Sequence, residues 1–253
     1  MSGRRNQDKA TTDIDKALLA AAGEMDLCGV RKALDCGAWV HVSDENRTRP
    51  LGVFVEAWLS TSSPPDPAPF ISLLAEAGAD LARPTGERYG PHTLESLRGT
   101  DDDVPLVEAL FDEGMKVGWG RFDHAELLTR VIGEGAVELL RWLVSPYNVD
   151  AQNPDGETAL FAVLRAQRPE EGRRPDGKMA AMLDILFAAG IDESVQDIFG
   201  CIALEGFTAA GPAYVAAYEK AKAAHAHSAR SWGFGFFLPI AATEKHRSDT
   251  QPC

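Results

Sequence analysis

Long apolar runs are missing from this sequence. No window of 18 or more residues is uninterrupted by polar side chains, so no transmembrane helix is expected. Residues 1–12 hold Arg4, Arg5 and Lys9 with no apolar stretch behind them. They read as a disordered polar tail and not as a secretory signal. Cysteine is scarce: Cys28, Cys36, Cys201 and Cys253, without a CxxC pair. Four scattered thiols make neither a disulfide framework nor a zinc cluster, and a reducing, cytoplasmic location is expected. Cys28 and Cys36 read as small core residues on one apolar helix face.

Positive charge is the next shortage. The chain has 25 Lys and Arg against 38 Asp and Glu, for a net charge of -13. Residues 1–12 and 220–253 are net basic, so the body from 13 to 219 carries about -18. Such a body repels nucleic acid phosphates and anionic membranes, and it attracts a basic protein. The same charge also serves solubility.

Catalytic signatures are absent as well. There is no GxGxxG in a strand–helix setting, no Walker loop, no GxSxG and no HExxH. His225 and His227 stand two apart and point to different helix faces, which is wrong for a metal pair. His124 beside Asp123 reads as a polar pair. Asp101, Asp102 and Asp103 precede a helix and favour its positive end. No catalytic residue, cofactor or metal is expected.

What the sequence does have is a period. Leu18, Leu51, Leu94, Leu128, Leu160 and Leu204 open similar apolar segments at intervals of 33, 43, 34, 32 and 44. The two long intervals hold loop insertions, "TSSPPDPAP" at 61–69 and "RPEEGRRPDG" at 168–177. Without them the intervals become 33, 34, 34, 32 and 34. Each period predicts a short apolar helix and then a longer amphipathic one: "VRKALDCGA", "FISLLAEAGAD", "LVEALFDEG", "AVELLRWLV" and "MLDILFAAGID". Gly37, Gly78, Gly114 and Gly190 are placed to end the longer helices in the left-handed conformation. An extended finger then leads to the next period. In "NVDAQNPDGETALFAV", Asp155-Gly156 supplies the turn and Thr158 the helix cap.

This plan resembles the ankyrin repeat over roughly 13–224. Gly78-Ala79-Asp80-Leu81 matches that family's finger. Asn148-Val149-Asp150-Ala151 with Asp155-Gly156-Glu157-Thr158-Ala159-Leu160 matches finger, turn and helix start together. Thr48-Arg49-Pro50-Leu51 and Asp197-Ile198-Phe199-Gly200 match in part. The family's "TPLH" histidine is missing throughout, its place held by Leu19, Gly52, Glu95, Thr129, Phe161 and Glu205. The resemblance implies an all-α, ankyrin-type helix-turn-helix solenoid of about six repeats over 13–230 with β-turn fingers, the terminal repeats serving as caps. The final helix is expected from Pro212 to about Arg230.

The resemblance also implies protein–protein recognition. By the family's variable positions, the exposed inner surface includes Glu45, Asn46, Thr48, Phe122, Asp123, Pro154, Asp155, Glu157, Ile198 and Phe199, with Trp39 and Trp119 on fingers. Aromatic anchors among carboxylates suit a basic partner, while packing of finger on finger would half bury the same rings. The two insertions fall between first and second helices, either as functional loops or as tolerated length.

The segment "SWGFGFFLPI", 231–240, alternates aromatic and small residues. It either docks on the last helix pair or serves as a partner-binding peptide, and polar residues follow it to 253.

Three functions are compatible with this reading. The first is an immunity or antitoxin type of inhibitor: an acidic monomer that neutralises a basic enzyme through one salt-sensitive 1:1 contact. The second is an adaptor or scaffold linking two partners, a role often accompanied by a further module. The third is an enzyme or small-molecule binder using the groove and the 61–69 and 168–177 loops. It requires a deep pocket with a perturbed titratable group.

Overall fold

The computed structural model describes residues 12–83, 85, 92–115, 124–145, 148–167 and 175–225. The calls made for residues 1–11 and 231–253, for Trp119, Phe122 and Asp123, and for most of the 168–177 loop lie outside them. Among the described residues there are eleven α-helices and no strand, with isolated antiparallel bridges at Thr48–Thr85 and Gln196–Ile202. No helix among them is long and apolar enough to cross a membrane.

The described residues form two compact units, 12–97 with 105–115 and 98–104 with 124–225. In the first, α1 (Asp13–Gly23) and α2 (Leu27–Asp35) form one pair, and α3 (Pro50–Ser60) and α4 (Ala68–Glu76) the next. First helix packs on first helix, α1 on α3, and second on second, α2 on α4. The helix α5 (Val104–Asp112) follows. The second unit repeats the layering through α6 (His124–Gly133), α7 (Val137–Leu143), α8 (Ala159–Ala166), α9 (Gly177–Ala188), α10 (Ala203–Ala210) and α11 (Pro212–His225). Here α6, α8 and α10 stack in one layer and α7, α9 and α11 in the other.

The apolar spacing explains the layers. Leu18, Leu51, Leu94, Leu128, Leu160 and Ala203 are all buried, so each period presents its anchor, or the residue beside it, to the core. Phe54 stacks on Phe70 at 4.7 Å between ring centres in the first unit. In the second, Tyr218 meets Phe187 and Phe207 at 5.1 and 4.9 Å. Gly206 of α10 lets a neighbouring helix approach, since a Cβ there would stand 2.6 Å from Leu164 Cδ2.

The four expected glycines do end the second helices. Gly37, Gly78, Gly114 and Gly190 have φ of +90°, +88°, +83° and +84°. After each, the next residue reaches back into the helix: Ala38 to Ala33 O, Ala79 to Leu74 O, Met115 to Leu110 O and Ile191 to Leu186 O. That is the Schellman closure, which satisfies carbonyls a helix end leaves open.

Several local expectations are corrected. The first helix of the third period is reduced to a 3-10 turn, Thr93–Ser96, with a second one at Asp101–Asp103. Gly99 at φ +90° lies too soon after Leu94 for a full helix. Thr12 is no part of a loose tail, because it caps α1 in a reciprocal bond with Asp15. Thr158 occupies the N-cap of α8 but makes no side-chain cap bond. Cys28 and Cys36 are exposed rather than core. Cys36 is a free thiol.

The first insertion, 61–69, is largely exposed but is anchored to the helix before it. Trp58 is 2% exposed, and its indole N–H donates to Pro65 O at 2.9 Å. Asp66 Oδ1 accepts from Ala68 N at the start of α4. One strong hydrogen bond from a buried ring thus fastens this loop to α3.

Candidate functional site: the finger tips

Three fingers share one turn. Asp44 Oδ1 accepts from Asn46 N at 2.9 Å and Thr48 N at 2.7 Å. Asn153 Oδ1 accepts from Asp155 N at 2.9 Å and Glu157 N at 3.0 Å. Asp197 Oδ1 accepts from Phe199 N and Cys201 N, both at 2.9 Å. In each finger the main chain closes the same hairpin: Asp44 with Thr48, Asn153 with Glu157 and Asp197 with Cys201. The fourth residue of each turn has positive φ: Arg47 at +62°, Gly156 at +77° and Gly200 at +79°. A short side chain that bonds its own backbone two residues on, followed by a residue tolerant of the left-handed region, makes such a turn rigid.

The frame leaves the second and third residues of each turn pointing away: Glu45-Asn46, Pro154-Asp155 and Ile198-Phe199. All six are exposed. The sequence expectation for these tips therefore coincides with the turn geometry. Ile198 is 61% and Phe199 82% exposed.

The other expected residues fall differently. Glu157 is not a tip. Its side chain is 16% exposed, accepts from Asn153 Nδ2 and is ion-paired with Arg165. Thr48 is buried and bridges to Thr85, so it is withdrawn from the surface. Trp39 is 51% exposed at the root of the first finger, where its backbone N–H donates to Asp15 Oδ1 at 2.8 Å. Its ring meets His41 edge-on at 5.8 Å. Burial, with the Arg49 charge, holds the His41 imidazole below its ordinary pKa, and Asp80 opposes them.

In the second unit the two fingers are tied together. Ile198 N donates to Asp155 O at 2.9 Å, Asp192 N to Asp150 Oδ1 at 2.7 Å, and Gln152 Nε2 to Gln196 O at 3.2 Å. The paired fingers, 148–157 and 191–202, carry Asp150, Asp155, Glu157, Asp192, Glu193 and Asp197 and no Lys or Arg. Part of this charge is engaged within the fold. Glu193 accepts from Tyr218 and pairs with Lys222 at 2.7 Å. Asp192 accepts from the backbone and hydroxyl of Ser194, which hold its carboxyl below the usual range. Asp155 is exposed at the tip.

The first finger borders an open cleft of about 560 Å³, lined by Lys16, Leu19, Ser43, Asp44, Glu45 and Asn46. It mixes both charge signs, and Lys16 lies 3.9 Å from Asp13. Among the described residues no group of His, Cys, Asp and Glu is arranged to hold a metal. His225 pairs with Asp184 at 2.8 Å across α9 and α11.

Sequence reasoning missed Asp44 and Asn153, which hold two of the turns, and quoted Asp197 in the third only as part of the match Asp197-Ile198-Phe199-Gly200. Two of the three carried a signal, Asn153 and Asp197 each followed by two variable residues and a glycine, whereas Arg47 in the first finger gives none. In the middle finger the turn starts at Asn153 rather than at Asp155, which makes Asp155 a tip. The Asp101–Asp103 run also behaves otherwise than expected. Asp101 Oδ1 accepts from Glu138 N and Leu139 N, both at 3.0 Å, and so caps α7 from far along the chain. Asp103, fully buried, accepts from Arg98 Nε at 2.9 Å and Gly99 N at 2.8 Å.

No family model and no curated protein matches the sequence. Solved structures do. An ankyrin repeat domain from Acinetobacter baumannii is similar at a TM-score of 0.62 and 19% identity, covering 83% of this chain and 97% of that one. An ankyrin repeat protein is similar at 0.59 and 19%, covering 84% and 98%. A chain in the complex of a predatory endopeptidase from Bdellovibrio bacteriovorus with an immunity protein is similar at 0.54 and 22%, covering 81% and 97%. Stacked helix pairs, Schellman ends, Asx-held fingers and these likenesses together give one result: the fold of this chain is that of an ankyrin-repeat domain.

Proposed function

We propose that the protein binds another protein through its finger tips and thereby neutralises a basic enzyme, in the manner of an immunity protein or antitoxin. The observation that carries this reading is the tied finger pair of the second unit. It holds six carboxylates, of which Glu157 and Glu193 are ion-paired to Arg165 and Lys222, and it exposes Ile198 and Phe199. Acidic surfaces steer basic partners and set their orientation. The likeness to a chain from an endopeptidase–immunity complex supports the same reading. The proposed contact residues are Glu45, Asn46, Trp39, Asp155, Glu157, Ile198 and Phe199, together with Trp119, Phe122 and Asp123, which lie outside the described residues. The protein acts here as a monomer, in the cytoplasm, with neither nucleic acid nor membrane as its ligand, and it performs no catalysis.

A second reading, an adaptor, is favoured by one observation. The first finger differs in chemistry from the other two: its tip is Glu45-Asn46, with Arg47, Arg49 and Trp39 nearby in sequence. Two unlike finger surfaces suit two unlike partners.

The experiment is affinity capture from host lysate at low and moderate salt, with mass spectrometry and stoichiometry of what is retained. One basic protein held 1:1 and released by salt supports neutralisation. Two partners held at once favour the adaptor. Retention unchanged by salt removes the electrostatic argument, and charge reversal at Asp155 that leaves the association rate unchanged moves the contact off this finger.

A further inference from the structure

We propose that Phe199, presented by Asp197, is an apolar anchor for a partner surface that offers an apolar depression rimmed by Lys or Arg. The inference rests on the protein-binding reading of the fingers and adds which residue holds the partner and what the partner must present.

The argument begins from the turn. Three fingers use the same Asx frame, and in two of them the tip residues are polar or Pro: Glu45-Asn46 and Pro154-Asp155. In the third the same two positions hold Ile198 and Phe199, at 61% and 82% exposure. Nothing in the turn asks for them. The frame is closed by Asp197 Oδ1 on Phe199 N and Cys201 N and by Gly200 at positive φ. Side chains at the second and third turn positions take no part in those bonds.

Rigidity strengthens the case. The Ile198 amide is also bonded to Asp155 O in the neighbouring finger. The backbone on both sides of the anchor is therefore ordered before any partner arrives. An aromatic ring on a preformed turn loses little conformational freedom on binding, and such rings dominate interface energies. Asp197 acts as a positioning residue, and the neighbouring finger supplies its internal control: Asn153 does the same work without a charge.

Charge identifies the occupant. Asp155 flanks the tip across the Ile198 bond, and Asp150, Asp192 and Asp197 lie on the same two fingers without a Lys or Arg. Backbone and hydroxyl donors bond Asp150, Asp192 and Asp197 without neutralising them, so a plain apolar patch would bring no counter-charge, and a plain basic surface would leave Phe199 in water. An apolar depression with a cationic rim answers both.

The test uses two synthetic peptides of equal charge, an amphipathic Lys–Leu helix and its Lys–Gln twin, titrated calorimetrically into the full chain at low salt. The anchor predicts that Lys–Leu binds about tenfold or more tighter than Lys–Gln. Phe199→Ser should abolish that difference and leave Lys–Gln binding unchanged. Asp197→Asn should keep the preference, because the turn survives, whereas Asp197→Ala should lose it while circular dichroism stays native. Equal binding of both peptides to the parent chain, or a preference that survives Phe199→Ser, overturns the anchor but leaves the acidic-face reading standing. Binding of neither peptide overturns both.

Discussion

The Ile198 amide donates to the Asp155 carbonyl at 2.9 Å, so two fingers of the second unit share one backbone bond at their tips. Gly156 is what permits that approach. A Cβ on it would stand 3.0 Å from Ile198 N and 3.1 Å from the backbone of Asp197.

Gly156→Ala and Gly200→Ala should therefore differ. Both residues have φ near +80°, a region that costs an L side chain about 1–2 kcal/mol. Gly200 has open space around the added methyl, and Gly156 does not. Urea melts should show the larger loss for Gly156→Ala. Hydrogen exchange should show the Ile198 amide opening in that variant alone.

Asp101→Ala should destabilise the second unit by about 1 kcal/mol, the usual cost of a lost helix cap. The carboxylate holds the first amides of α7, whose own N-cap residue Ala136 contributes no side-chain bond. Asp101→Asn should recover most of the loss, because an amide oxygen can still accept. Equal melting for Ala and Asn would show that the two bonds contribute nothing measurable.

Tyr218 predicts an alkaline limb in stability. Burial, followed by the hydrogen bond and charge of Glu193, raises its hydroxyl above the ordinary value of 10. The folded chain then keeps a proton that the unfolded chain releases, so the contribution is whole below pH 10 and declines as pH rises above it. Tyr218→Phe should flatten this slope in denaturant titrations between about pH 9 and 11. A slope unchanged in that variant would assign it to another group.

His41 predicts the opposite limb. Its pKa is lowered from 6.5 in the fold by burial and Arg49, against Asp80. The unfolded chain binds the proton first, so this contribution is present above pH 6.5 and is lost as pH falls below it. His41→Gln should reduce the acid sensitivity of unfolding between about pH 7 and 5. The fluorescence of Trp39, whose ring touches His41, should stop changing over the same range.

The repeat was legible in the sequence because burial enforces it. Leu51, Leu94 and Leu160 recur at positions that must face a core, and Gly37, Gly78, Gly114 and Gly190 stand where a side chain would strain the helix end. The tips were legible for a related reason, since fixed spacing from those helices places Glu45, Asp155 and Phe199 in equivalent turns. Long-range bonds were not. Asp101 lies next to α5 in sequence and caps α7 instead, a choice made by packing and invisible to local pattern. Thr158 has the chemistry of a cap, yet its buried side chain makes no cap bond. The helix expected at Leu94 fails because Leu94 and Leu97 can both be buried by a single 3-10 turn before Gly99 redirects the chain.

The finger turn divides labour among neighbouring residues. Asp44, Asn153 and Asp197, with the positive-φ residue three places on, meet the demands of folding. The side chains of the two residues between them take no part in those turn bonds, which use only their backbone. Such an arrangement uncouples inheritance of the fold from inheritance of the target: exchanging two adjacent codons is enough to give a finger new chemistry, while the scaffold beneath it descends unaltered.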